Sequence, residues 1–356
     1  MPYHILAINP GSTSTKLAIY ADETQIYKAS VKHETEQIQK FQYVWDQFDF
    51  RMDAILNELK KSNIDLSKLD AVVGRGGMLK PLTSGTYAVN EAMIDYLKKR
   101  TRGEHASNLG CAIAKRIADS YKIPSYIVDP VAVDEMDDIA RFTGMPEIQR
   151  QSIFHALNHK AVAYRAAKDL GIPYTELNLI VAHLGGGISV ASHQKGRVID
   201  VNNALDGDGP MSPERSGSVP MGPLYKMAFS GKYTLEEIKR KNYGQGGLVA
   251  YLGTNDGNEI QRRIEQGDEK ATLIYQVMCY HISKEIGAQS AVLKGKVDRI
   301  ILTGGLAYDP YATGLIKDRV EFIAPVMIYP GEDEMGSLAM GALRVLKGEE
   351  KPKNYE

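Results

Sequence analysis

Ile5-Leu6-Ala7-Ile8-Asn9-Pro10-Gly11-Ser12-Thr13-Ser14-Thr15-Lys16-Leu17-Ala18-Ile19-Tyr20 is the stretch from which the rest of the chain is read. Apolar runs at Ile5–Ile8 and Leu17–Tyr20 flank a polar segment, the pattern of a strand, a turn and a second strand. Pro10 and Gly11 punctuate the turn. Small hydroxyl side chains leave backbone N–H groups open, and Asn9, Ser12, Ser14 and Lys16 add donors, so the loop suits phosphate better than an ordinary polar hairpin would.

Leu179-Ile180-Val181-Ala182-His183-Leu184-Gly185-Gly186-Gly187-Ile188-Ser189-Val190-Ala191-Ser192 has a similar layout. The offsets differ, so an internal duplication is suspected from the layout alone. Two such hairpins, one per domain, would clasp a nucleotide's phosphates across a cleft, with Asn9 and His183 as counterparts.

At 356 residues the chain exceeds an ordinary single-domain core, and two domains are expected. Its 43 basic and 44 acidic residues leave a formal net charge of −1. That balance points away from nucleic acid and acidic membrane surfaces, whereas a small anionic substrate needs only local positive charge. Cys111 and Cys279 lie far apart in apolar helical patterns and read as buried free thiols; without a CxxC they cannot make a zinc site. MPYHILAINP enters a strand with no leader pattern, and no apolar run approaches the roughly 20 residues of a membrane helix. The cytoplasm is the expected compartment.

Gln25–Lys32 extends the hairpin into a meander, and Phe41, Val44, Phe48, Met52, Ile55, Leu56 and Leu59 recur at helical steps. The apolar run Leu69–Val73 ends in Gly74-Arg75-Gly76-Gly77. GxGxxG is not satisfied and Pro81 argues against a helix there, so Arg75, at the carboxyl end of a strand, is read as an anion contact. Ala92–Arg100 and Asn108–Tyr121 are helical, with His105 between them as a loop or capping residue. Ser125–Val128 is a strand ending in Asp129-Pro130, which puts a carboxylate where α/β sheets present ligand groups. The acidic run Asp134–Asp138 is expected to be a solvated loop or helix start. A helix is expected over Ser152–Leu170, with His155 and His159 one turn apart; the residues between them do not make HExxH, so metal ligation is not expected.

Asp206–Gly217 is rich in turn formers, and Arg215, its one cation, is the second anion candidate. A long helix runs from Lys270 to about Leu293. The strand Asp298–Thr303 leads into Gly304-Gly305-Leu306, where paired glycines permit close backbone approach to a flat ring or a sugar. Val326–Tyr329 is a last strand and Met335–Leu346 a closing helix. Walker A, protein-kinase and GxSxG patterns are missing from the sequence.

NPGSTSTK (Asn9–Lys16), AHLGGGIS (Ala182–Ser189) and ILTGGLAYD (Ile301–Asp309) resemble the two phosphate motifs and the adenosine motif of the acetate and sugar kinase, Hsp70 and actin superfamily. Within it the chain is most similar, from Ile5 to about Leu346, to the butyrate kinase branch of the acetate kinase group. The resemblance implies an α/β fold of two actin-like (ribonuclease H-like) domains, each with a mixed central sheet, and an active-site cleft between them. The domains would comprise residues 1–155 plus 335–356, on the acyl side, and 156–334, on the nucleotide side. It implies reversible in-line phosphoryl transfer from ATP to the carboxylate of butyrate or a branched short-chain acid, with ADP and an acyl phosphate as products. An acetate or propionate kinase is the alternative within the class, and an Hsp70-like ATP-binding switch the alternative outside it. Homodimers or larger assemblies are also implied.

The residue roles come from the same resemblance. Arg75 matches the arginine on the acyl carboxylate, Arg215 the one on the transferring phosphoryl, Asp129 the catalytic aspartate and His155 the histidine near the phosphoryl. Asn9 matches the asparagine of the first phosphate loop, Gly185, Gly186 and Gly187 the second phosphate loop, and Gly304 and Gly305, with Leu306, the adenosine loop. Phe154 matches an apolar wall of the acyl pocket. Gly76, beside Arg75 where acetate kinases carry bulkier residues, is expected to leave room for a longer acyl tail. Mg²⁺ bound with ATP is implied, through Glu334 or Glu332. No base is required, because a carboxylate nucleophile with a pKa of roughly 4 to 5 is already ionised at neutral pH.

Overall fold

β1 (His4–Pro10) and β2 (Ser14–Ala21) form the opening hairpin, and β3 (Thr24–Lys32) completes an antiparallel meander. The computed structural model describes residues 1–62 and 64–356. β4 (Ala71–Arg75) and β6 (Ser125–Val128) extend the sheet in parallel from β1, and β5 (Thr86–Ala88), which no sequence pattern announced, pairs antiparallel at its edge. The order is β3-β2-β1-β4-β6-β5.

The second sheet repeats this plan. β7 (Asn178–Leu184), β8 (Ile188–Gln194) and β9 (Arg197–Val201) form a meander, while β10 (Arg299–Gly304) and β11 (Val326–Pro330) follow in parallel from β7. Its order, β11-β10-β7-β8-β9, matches the first sheet read from the other end and without β5. The duplication suspected from two turns therefore extends over a whole five-strand topology. Asn9 and His183 each stand one residue before the end of the first strand of their hairpin.

The strands read as unbroken apolar runs because both faces of each sheet are covered. In the first sheet Leu6, Ile8, Leu17 and Ile19 face Met52, Ile55 and Leu59 of the helix Phe48–Lys61 and Ile113 and Ile117 of the helix Gly110–Tyr121. Ile5, Ala7, Val73 and Val128 face Leu338, Ala339, Ala342 and Leu343 of the closing helix Glu334–Leu346. In the second sheet Ile180, Ala182, Ile300 and Leu302 pack with the helices Glu269–Val292 and Pro310–Val320, and Leu179, Val181 and Ile301 with Val162, Ala163 and Ala166 of the helix Ala156–Leu170.

The chain divides into two compact units, Met1–Asp134 with Ala156–Asn158 and Asp333–Glu356, and Glu135–His155 with His159–Glu332. The segment Glu135–His155, expected with the first domain, clusters with the second. The cause is specific: Glu135, expected in a solvated run, accepts from buried Lys160 Nζ at 2.7 Å and from the Val198 N–H at 3.0 Å, and Arg150 donates to Asp200 at 2.8 Å. Two helices also start later than expected. Val44–Gln47 is a tight 3₁₀ turn ahead of Phe48, and the helix expected from Ser152 begins at Ala156, so His155 sits at its N-cap and not on its face.

Candidate active site

In the first unit Asn9, Arg75 and Asp129 stand at the carboxyl ends of the adjacent parallel strands β1, β4 and β6. Ile8 pairs with Gly74, and Arg75 with Val128. This is where open α/β sheets collect ligand groups. Glu334, in the first turn of the closing helix, lies among them: Asn9 Nδ2 donates to its Oε2 at 2.8 Å, Lys16 Nζ is 3.9 Å from the same oxygen, and Arg75 Nη1 is 3.8 Å from Oε1. Arg75 Nη1 is buried and makes no hydrogen bond among the described residues.

Asp129 is 2 % exposed and its backbone is left-handed, with φ +37°. Its Oδ1 accepts from Ser84 Oγ and the Gly85 N–H, both at 2.7 Å, which orients the carboxylate. Thr83 and Ser84 are held in turn by Lys353, whose Nζ donates to Thr83 Oγ1 and the Ser84 carbonyl.

Beneath the first hairpin turn lies a residue that sequence reasoning missed. Arg51 is 1 % exposed; its Nη1 donates to the Gly11 carbonyl at 2.8 Å and its Nη2 to the Ser12 carbonyl at 3.0 Å. The Thr13 carbonyl accepts from the His33 N–H and the Ser14 carbonyl from the Gly11 N–H. All four turn carbonyls are thus engaged by the protein. Their negative ends are turned to the chain's own donors, which favours an anion on the opposite side. The detectable signal was a charged residue on the apolar face of the helix, three after Phe48 and four before Ile55.

In the second unit the turn Gly185-Gly186-Gly187 is glycine because side chains crowd it. A Cβ at Gly185 would come within 3.0 Å of His183 Nε2, one at Gly186 within 2.9 Å of Glu214 Oε1, and one at Gly187 would collide with the Arg215 guanidinium. Arg215 Nη1 bonds the Ala204 carbonyl, and its buried Nε makes no hydrogen bond among the described residues. His183 Nε2 is 3.0 Å from Glu332 Oε1, and the His183 ring stacks on His155 with centroids 3.8 Å apart at 13°. His155 Nδ1 and His159 Nε2 both contact Ser189 Oγ, at 2.9 and 2.8 Å.

At the carboxyl end of β10, Gly304 has φ +89° and exchanges backbone hydrogen bonds with Gly331, and Gly305 and Leu306 lie in the 3₁₀ turn Gly305–Tyr308. Phe154 is buried edge-on against His159, with centroids 5.2 Å apart. Gly76 does not border open space: a Cβ there would lie 2.5 Å from Pro130 Cβ and 3.1 Å from Ile127 Cδ1. The missing side chain permits close packing against Pro130 and Ile127 and does not leave the room for an acyl tail that the sequence led one to expect. Ser12 is exposed, and Ser14 is half-buried at the start of β2.

Paired hairpins over two sheets of repeated topology, each with a guanidinium nearby, define a phosphotransferase fold of the acetate and sugar kinase type. The fold is similar to that of an acetate kinase from Porphyromonas gingivalis (TM-score 0.80, 20 % identity, 97 % of this chain and 100 % of that one). It is also similar to that of a propionate kinase from Francisella tularensis (TM-score 0.73, 20 % identity, 95 % and 98 %). The sequence pattern of the Acetokinase family matches residues 144–312. A probable butyrate kinase of Clostridium botulinum is 56 % identical over 355 residues, covering all of both chains, and butyrate kinase 1 of Clostridium acetobutylicum is 56 % identical over 354 residues, covering 99 % and 100 %. The chain belongs to the acetokinase family and, within it, to the butyrate kinases, and it is an ATP-dependent kinase that phosphorylates a carboxylate.

Proposed function

We propose that this kinase transfers the γ-phosphoryl group of ATP reversibly to butyrate or a branched acid of similar length, in the cytoplasm, where ATP is available. The observation that carries the reading is the pair of guanidinium groups, Arg75 and Arg215, each with a buried nitrogen that makes no hydrogen bond among the described residues. A buried cationic donor without a hydrogen bond is costly, and an anion that accepts from it offsets that cost.

Arg75 binds the acyl carboxylate, and Arg215 and His155 meet the transferring phosphoryl. Asp129 is the catalytic aspartate; Asn9, Ser12, Ser14 and Lys16 on the first unit, and His183 with the Gly185–Gly187 turn on the second, bind the ATP phosphates; Gly304, Gly305 and Leu306 take the adenosine. Phe154 walls the acyl chain. The oxygens of a loose transition state carry the charge, so aiming donors at them is most of the catalysis. Among the described residues no three His, Cys, Asp or Glu side chains gather as a metal cage. An Mg²⁺ delivered by ATP needs only one or two protein carboxylates besides phosphates and water. Glu334 or Glu332 would hold it, and when bound it offsets the charge of the β and γ oxygens.

Self-association accounts for the helices Met221–Ala228 and Leu235–Asn242, neither of which buries a residue, and for the exposed Met221, Tyr225, Phe229 and Leu235 around them. Among the described residues no helix is long and apolar enough to cross a membrane.

Trapping the acyl phosphate with hydroxylamine across acetate, propionate, butyrate, isobutyrate and valerate tests the substrate. The highest kcat/KM is expected at four carbons. A higher value for acetate overturns the choice of acid, and ATP turnover that ignores the acid overturns the kinase reading.

A further inference from the structure

His155 heads a file of buried polar side chains that runs away from the phosphate hairpin into the core of the second unit. Ser189 Oγ lies 2.9 Å from His155 Nδ1 and 2.8 Å from His159 Nε2. His159 Nδ1 lies 3.3 Å from His193 Nε2, and His193 Nδ1 lies 2.7 Å from the Tyr174 hydroxyl. The local structure explains the alignment. Ser189 and His193 are four residues apart on β8 and so share a face. His159 lies one helical turn beyond the N-cap residue His155, and Tyr174 opens the 3₁₀ turn ahead of β7. Ser189, His159 and His193 are fully buried and Tyr174 is nearly so.

We infer that this chain of hydrogen bonds, from Tyr174 through His193, His159 and Ser189, fixes the tautomer of His155 and presents its Nε2 as an N–H donor. The inference rests on the reading that His155 meets the transferring phosphoryl, whose oxygens can only accept. A neutral His155 that donates from Nε2 must accept at Nδ1, so the Ser189 O–H points to it. Ser189 Oγ then accepts from the His159 Nε2–H. His159 Nδ1 accepts from the His193 Nε2–H, and His193 Nδ1 accepts from the Tyr174 O–H. One choice at the ligand end therefore sets every proton in the file. The opposite order would put the proton of His155 on Nδ1 and leave Nε2 an acceptor, which repels an oxyanion.

Two further features agree. Burial pushes His159 and His193 well below the ordinary imidazole range, so both stay neutral and each donates once and accepts once. The stack on His183 fixes the plane of the His155 ring, while Ser189 fixes its rotation within that plane. Ser189, His159, His193 and Tyr174 are thus positioning residues that act through His155.

Ring-¹⁵N-labelled protein, with the His155 signals assigned by their loss in His155→Gln, tests this without reference to turnover. The expected spectrum shows Nε2 protonated and Nδ1 bare at neutral pH, and a proton on Nδ1 overturns the inference. A kinetic cycle supplies the second arm. Tyr174→Phe keeps the packing and removes the terminal donor, and is expected to lower kcat by about three- to tenfold, the scale of one hydrogen bond, with KM for ATP unchanged. In the His155→Gln background the same change is expected to cost nothing further; a full additional loss there overturns the inference. If His155→Gln itself retains full activity, the phosphoryl reading of His155 fails, and the NMR result still decides the tautomer.

Discussion

The guanidinium of Arg51 lies beneath Gly11 and bonds its carbonyl at 2.8 Å, so a helix on one face of the first sheet shapes the turn that carries the phosphate-loop donors. Burial lowers the Arg51 pKa to about 10, which leaves the group charged at neutral pH. Arg51→Met removes the donors to the carbonyls of Gly11 and Ser12, which are part-buried, so the loss is expected at the lower end of the roughly 1 to 3 kcal/mol for a buried acceptor left unpaired. Its urea midpoint is expected to fall and its KM for ATP to rise. Arg51→Lys keeps the charge but not the fork of donors, and should recover only part of either.

Arg75→Ala and Arg215→Ala are each expected to lower kcat/KM by roughly 10³-fold or more, the range of arginine contacts in phosphoryl transfer. The Arg75 variant should show its loss chiefly against the acid and the Arg215 variant chiefly in kcat. Initial rates with each substrate varied in turn separate the two, and lysine at either position is not expected to substitute.

Gly76→Ala places a methyl against Pro130 and Ile127. Overpacking of this kind typically costs about 1 to 3 kcal/mol, so the variant is expected to melt earlier while keeping the wild-type order of preference among acids. A shift of preference towards acetate with unchanged Tm would restore the pocket reading of this glycine.

His33 bonds Thr15 Oγ1 through Nε2 at 2.9 Å, and burial followed by the charge of Arg51 pushes its pKa down to about 4. The unfolded imidazole titrates near 6.5, so between those values the unfolded chain binds the extra proton. The stabilisation is complete above pH 6.5 and is lost as pH falls towards 4. Denaturant midpoints for the wild type should drop between pH 7 and pH 5, and His33→Asn should show a smaller drop.

What was legible in the sequence was local. The turn Asn9–Lys16, Arg75 after a short apolar run and Asp129 before Pro130 are each strand ends with an abrupt change of chemistry, and parallel strands bring such ends together. Arg51 and Lys160 were not legible, since a single cation on a helix resembles a solvated one until its buried partner is known. Glu135 shows the same ambiguity from the acidic side. The side-chain bulk missing at Gly76 was read as space because sequence shows what a residue lacks and not what its neighbours fill.

The two helices that follow β6 and β11 each back the sheet of the other half: Ala156–Leu170 lies on the second and Glu334–Leu346 on the first. During synthesis, then, that face of the earliest sheet, with Leu157 against it, waits for the rest of its cover until Glu334–Leu346 has left the ribosome. The half that is made first is finished last, and a chain stalled before residue 334 would display the apolar residues Ile5, Ala7, Val73 and Val128 to whatever chaperone or neighbour is nearby.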